Sequence, residues 1–222
     1  MDTLTGPRAA PGSGTTTSLV ILLHGYGADG NDLFGLAGPL GRHLPSTAFR
    51  APNAPERSRV NPMGYQWFPI PRLDGSSEAE RDSSFHRSAG LLDRYLTDSM
   101  AEEGVTPDRT ALVGFSQGTM MSLYVAPRRP EALACIVGFS GRIVDGEALR
   151  REARSKPPVL LVHGDQDQMI PVDALTEARG ALAEAGFPVR WHVSRGIGHG
   201  IAPEGLSLAL SFLREHLGIN GG

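Results

Sequence analysis

Gly114-Phe115-Ser116-Gln117-Gly118 sets a serine between two glycines at the end of an apolar run. A serine hydroxyl attacks carbonyl carbon only when a base takes its proton, and a G-x-S-x-G turn presents the oxygen for that step. Its small neighbours let a strand turn sharply into a helix with the serine at the bend. Alone the pattern is weak, because 28 of 222 residues are Gly and chance matches are common. The setting strengthens it: residues 110–113 read as a buried strand leading in, and 119–124 are compatible with a helix leading out. The plainer reading is a glycine-rich turn with an incidental serine. The remaining motifs weigh against it.

A base must follow, with an acid to orient it. In folds carrying such a turn, the chain order is serine, acid, histidine. Of seven histidines, His24, His43 and His86 precede Ser116, His163 closes an apolar run, His192 sits between Trp191 and Val193, and His216 stands beside Glu215. His199 remains. Its loop, Arg195-Gly196-Ile197-Gly198-His199-Gly200, follows the last apolar run, so an imidazole there can reach a sheet edge. For the acid, His163-Gly164-Asp165-Gln166-Asp167-Gln168-Met169-Ile170-Pro171 offers two carboxylates, and Asp145 is a third candidate on spacing. Asp167 has the offset that turns a carboxylate toward the next loop, whereas Asp165 is placed to brace its own turn.

Developing negative charge on the attacked carbonyl needs donors. Backbone N–H groups are expected from Gln117, directly after the serine, and from Tyr26 in His24-Gly25-Tyr26-Gly27-Ala28-Asp29-Gly30. That loop also matches G-x-G-x-x-G. Phe49-Arg50-Ala51-Pro52 stands where an acidic ribose ligand would be needed, which disfavours dinucleotide binding, and no Gly-Lys-Ser/Thr follows to make a phosphate loop.

These residues require a scaffold that brings four loops to one edge. Apolar runs at 19–23, 110–115, 133–139, 159–163 and 189–193, with a weaker one at 47–50, read as strands, most of them apolar on both faces. Amphipathic stretches read as helices at 82–103, capped by Ser83 or Ser84, at 172–185, and at 203–217. The alternation predicts an α/β fold with a mostly parallel, doubly wound sheet flanked by helices. Residues 51–81 break it: five prolines stand among Met63, Tyr65, Trp67 and Phe68 with no period. This irregular segment is expected to line a substrate cleft together with Ile170. Residues 1–17 read as a flexible N-terminal tail, and 18–218 as a single domain.

Composition works by exclusion. Hydrophobic residues at 40% and charged residues at 20% fit a globular chain, and a net charge of -3 gives no footprint for nucleic acid. Lys156 is the single lysine among 21 basic residues, which reads more simply as genome composition than as anion recognition. The lone Cys135 lies in an apolar run and has no partner for a disulfide. The start lacks a basic and an apolar signal region, so a cytoplasmic location without stable membrane insertion is expected. An exposed apolar face could support a homodimer, though no sequence feature locates one.

Taken together, Leu23-His24-Gly25-Tyr26-Gly27-Ala28, Ala51-Pro52-Asn53-Ala54-Pro55, the Ser116 pentapeptide, His163-Gly164-Asp165-Gln166-Asp167 and Gly198-His199-Gly200 resemble the phospholipase/carboxylesterase family, which includes acyl-protein thioesterases and small bacterial carboxylesterases. The resemblance spans 19–217. It implies a minimal α/β-hydrolase without a separate cap domain, a Ser116–His199–Asp167 triad, and oxyanion donors at Tyr26 and Gln117. It further implies a serine carboxylesterase acting on short- to medium-chain acyl esters, with acyl-protein thioesters or lysophospholipids as the alternative substrates of the same triad, and with no metal or cofactor. Family members commonly carry Leu where this chain has Tyr26, which keeps the backbone donor and narrows the acyl site. Lacking a cap, the cleft is expected to favour short, soluble esters.

Overall fold

The computed structural model describes residues 3–219. Its apolar runs pair into a seven-stranded sheet. In chain order the strands are β1 (Arg8–Ala9), β2 (Ser18–Leu23), β3 (Thr47–Arg50), β4 (Glu56–Arg57), β5 (Tyr65–Gln66), β6 (Thr110–Phe115), β7 (Cys135–Phe139), β8 (Val159–Gly164) and β9 (Val189–Ser194). The sheet order is β1-β3-β2-β6-β7-β8-β9, with β4 and β5 forming a separate hairpin. Only β1 pairs antiparallel within the large sheet.

The helices are α1 (Gly30–Phe34), α2 (Ala37–Gly41), α3 (Pro71–Asp74), α4 (Glu78–Glu103), α5 (Gln117–Arg128), α6 (Gly146–Glu152), α7 (Asp173–Glu184) and α8 (Pro203–His216). Successive strand side chains point to opposite faces, so each central strand feeds two cores. Leu19, Ile21, Leu23 and Leu112 join a core with Leu92 and Leu96 of α4, Met121 of α5 and Leu182 of α7. Val20, Leu22, Val113 and Val137 join another with Leu33 of α1, Leu40 of α2 and Leu213 of α8. This two-sided burial is why the strands read as continuous apolar runs.

Three expectations need correction. α4 begins at Glu78 rather than residue 82, because Ser77 and Glu80 form a reciprocal capping box ahead of the serines at 83 and 84. The segment 51–81 is not irregular throughout: it holds the β4–β5 hairpin, α3 and the first residues of α4. Two-residue strands and a one-turn helix are too short for a period to register. Residues 3–17 are not a free tail, since Leu4 is buried, Asn53 N–H donates to Thr5 O and β1 caps the sheet edge on β3. Met1 and Asp2 lie outside the described residues.

Candidate active site

From β2 the chain passes to β3 on one side, while β6 lies on the other. Where connections diverge in this way, a crevice opens at the C-terminal ends of the strands. Gly25 and Ser116 meet there: a methyl group on Gly25 would lie 3.4 Å from Ser116 Cβ.

Ser116 joins β6 to α5 with φ 52° and ψ -114°, a conformation costly for a residue with a side chain. The surroundings hold it there. Ser116 N–H donates to Phe139 O at 2.9 Å, and Thr119 Oγ1 lies 2.9 Å from both Gly114 O and Phe139 O. Gly118 permits close contact between α5 and β2, since a Cβ at this position would sit 1.9 Å from Leu23 O. The pentapeptide is thus a packing requirement as much as a chemical one.

Asp167 and His199 come from loops after β8 and β9. Asp167 Oδ2 is 2.7 Å from His199 Nδ1, and Asp167 Oδ1 accepts from the N–H groups of Met169 and Ile170, both at 2.9 Å. Burial alone would push the Asp167 carboxyl up; the bonds from Ile170, His199 and Met169 outweigh it and hold the group below the usual carboxylate range. The two loops are tied together by Gln166 N–H to Ile197 O and by Gly196 N–H to Asp165 Oδ1. Asp165 therefore braces the histidine loop rather than only its own turn. The Phe115 ring packs 4.9 Å from the His199 ring, beside Ser116. Asp145 lies elsewhere in role, capping α6 through Ala148 N–H.

Ser116, His199, Tyr26 and Gln117 line one cleft of about 1230 Å³. Gln117 opens α5, so its N–H belongs to the first turn, whose donors have no partner inside the helix. The Tyr26 N–H belongs to the same peptide unit as Gly25 O, and that unit is held from behind. His24, fully buried, donates from Nδ1 to Gly25 O at 2.7 Å and accepts Ala54 N–H at Nε2 at 2.9 Å. Its partners select the neutral tautomer, and burial lowers its pKa. In front, Tyr26 Oη–H donates to Asp74 Oδ2 at 2.9 Å. Asp74 also accepts from Ile70 and Ser76 N–H, and these bonds overcome partial burial to hold it at about 2. Burial, reinforced by Asp74, pushes the Tyr26 phenol up to about 12.

Of the five apolar residues expected along the cleft, Phe68 and Ile170 line it. Met63, Tyr65 and Trp67 do not. Met63 is 81% exposed, just ahead of β5, and Tyr65 lies under the Arg57 guanidinium at 4.3 Å. Trp67 is wholly buried, with Nε1–H donating to His24 O at 3.0 Å. Apolarity along a segment cannot separate core from cleft. The walls are completed by Ile70, Phe85, Met120 and Tyr124, which the sequence did not single out. Nor did it reveal that Gln117 Nε2–H donates to Phe68 O while its Oε1 accepts Trp67 N–H, clamping the cleft wall to the serine turn.

Among the described residues, no group of three His, Cys, Asp or Glu is arranged to hold a metal ion, and no helix is long and apolar enough to cross a membrane. A mostly parallel sheet flanked by helices, with a serine turn after a central strand and acid and histidine loops after later ones, defines a minimal α/β-hydrolase. The phospholipase/carboxylesterase family model matches residues 5–217, so the chain belongs to that family and is a carboxylic ester hydrolase. It is 27% identical to an acyl-protein thioesterase 1 of Gibberella zeae, covering 95% of each chain. It is 29% identical to the esterase YpfH of Escherichia coli over 69% of this chain and 64% of that one. The crystal structure of esterase PE8 superposes with a TM-score of 0.92 at 46% identity, covering 97% of this chain and all of the other.

Proposed function

We propose that this protein is a serine carboxylesterase that hydrolyses short- to medium-chain acyl esters through an acyl-enzyme, with residues 18–218 acting as one catalytic domain. The observation that carries the reading is the 2.7 Å contact between Asp167 Oδ2 and His199 Nδ1, with His199 lining the same cleft as Ser116. His199 Nε2 takes the Ser116 proton as Oγ attacks the ester carbonyl. Asp167 stabilises the imidazolium, and the N–H groups of Tyr26 and Gln117 receive the oxyanion. The tetrahedral intermediate then collapses, the alcohol leaves with the proton from His199, and water activated by the same imidazole releases the acid. Phe68 and Ile170 contact the acyl chain or the alcohol.

Hydrolysis of acyl thioesters or lysophospholipids by the same triad is the second reading, favoured by relatives named as acyl-protein thioesterases. A fluorophosphonate probe tests the chemistry: it should label the folded wild type and not Ser116→Ala. Labelling that survives Ser116→Ala defeats the assignment of the nucleophile, and wild type that neither labels nor hydrolyses leaves a non-catalytic binding protein. Comparing kcat/KM for acetyl and butyryl esters with palmitoyl thioesters and lysophosphatidylcholine decides between the two readings. A long-chain preference overturns the first.

A further inference from the structure

His163, at the end of β8, belongs to no step above, yet its side chain is 1% exposed and lies against the wholly buried side chain of Asp167. Its Nε2 is 2.8 Å from Ile170 O. A carbonyl oxygen only accepts, so Nε2 carries the proton. The same nitrogen lies 3.3 Å from Asp167 Oδ2, the oxygen that faces His199.

We propose that His163 is a positioning residue for the acid of the triad, acting through its Nε2–H; this rests on the serine esterase reading. Ile170 closes the arrangement: its N–H donates to Asp167 Oδ1 while its carbonyl accepts from His163. Asp167 Oδ1 is held by two backbone donors, and Oδ2 by His199 with the His163 N–H dipole beside it. The carboxylate is thereby prevented from rotating away from His199. A residue so fully buried could serve only to fill space, but an apolar side chain of that size would fill it without leaving a donor beside the acid. His163 touches neither substrate nor Ser116 in this scheme. Its effect passes through Asp167 to the imidazole that must accept and return a proton.

His163→Leu removes the donor, and His163→Gln restores an N–H at a similar reach. The measurements are kcat and KM on a soluble butyryl ester, the rate of fluorophosphonate labelling of Ser116, and the downfield proton signal of the His199–Asp167 hydrogen bond. Misplacement of a catalytic group by about 1 Å costs up to ~10²-fold, so the Leu variant should lose about 10–100-fold in kcat with KM within threefold. Labelling should slow in parallel and the downfield signal should shift or vanish. The Gln variant should recover most of the loss. Folded variants within threefold of wild type, or equal losses in both that follow their melting temperatures, overturn the proposal. Should the Leu variant fail to fold, nitrogen-15 shifts of His163 in the wild type decide: a proton on Nε2 is expected, and an Nε2 without one overturns the proposal. A wild type that neither hydrolyses esters nor labels defeats the esterase reading instead, since the Nε2 proton reports the His163 contact independently of activity.

Discussion

Asp167 Oδ2 lies 2.7 Å from His199 Nδ1, so the imidazole is held with its Nδ1–H toward the acid, the orientation that its proposed role as base requires. Replacing Asp167 by Asn keeps the shape but favours the wrong tautomer, and kcat should fall by about 10⁴-fold. Asp165→Ala should instead cost about 0.5–1.5 kcal/mol of stability by losing the bond from Gly196 N–H, with kcat changed far less. Ester turnover and thermal melts of the two variants check this. A reversal of the two effects would sink the acid assignment.

Tyr26→Phe deletes the hydroxyl bond to Asp74 but keeps the backbone N–H. Ester turnover should stay within about tenfold of wild type, since one oxyanion donor is worth ~10²–10³ in kcat. Stability should respond at low pH. Its hydrogen bonds hold the folded Asp74 carboxyl at about 2 against an ordinary 3.8, so its contribution is complete above about pH 3.8 and disappears as pH falls toward 2. With one donor gone the folded pKa rises toward 3.8, so the variant's loss should be smaller and complete at a higher pH, with the unfolded carboxyl still setting its onset. Urea midpoints of both proteins between pH 2 and 5 would show it, and superimposable curves would refute the coupling.

His24 makes a second pH prediction, of the same sign but in a higher window. Burial holds its folded pKa below the ordinary 6.5, so above pH 6.5 it is neutral whether folded or not. As pH falls below 6.5, the unfolded chain binds a proton that the folded one refuses, and stability declines. His216 shifts in the same direction, so the comparison must be between wild type and His24→Gln over pH 7.5 to 5.5. The variant should show a shallower decline. Equal slopes would mean that His24 is not the group responsible.

The segment 51–81 separates core from cleft by substitution. Trp67→Ala should cost about 3–5 kcal/mol, as truncating a buried aromatic does. Phe68→Ala should raise KM for butyryl esters severalfold while costing less stability, and Met63→Ala, at an exposed position, should change neither. A Met63→Ala variant with altered chain-length preference would show that the hairpin reaches substrate after all.

Much of the architecture was legible in the residues themselves. Strands buried on both faces run largely apolar, so β2, β6 and β8 register within a residue or so of their bounds in sequence, β3 with its Thr47 and Arg50 more weakly, and the helices between them carry apolar stripes. Ser116, Asp167 and His199 could be singled out because their chemistry ties residue type to chain order and to loops that follow strands. Space could not be read in that way. Trp67 and Phe68 are adjacent aromatics of one core, yet Trp67 is wholly buried under the His24 carbonyl while Phe68 also lines the cleft, a difference set by which elements pack against each. The tethers around Tyr26, from His24 behind and Asp74 in front, join residues far apart in the chain whose types carry no signal of partnership. Residue pattern was enough to place the sheet, its loops and the candidate reactive groups, because period and composition follow from burial and backbone geometry. Which polar groups hold those reactive groups in place was decided only by the tertiary fold, because a hydrogen bond depends on distances that no local pattern encodes.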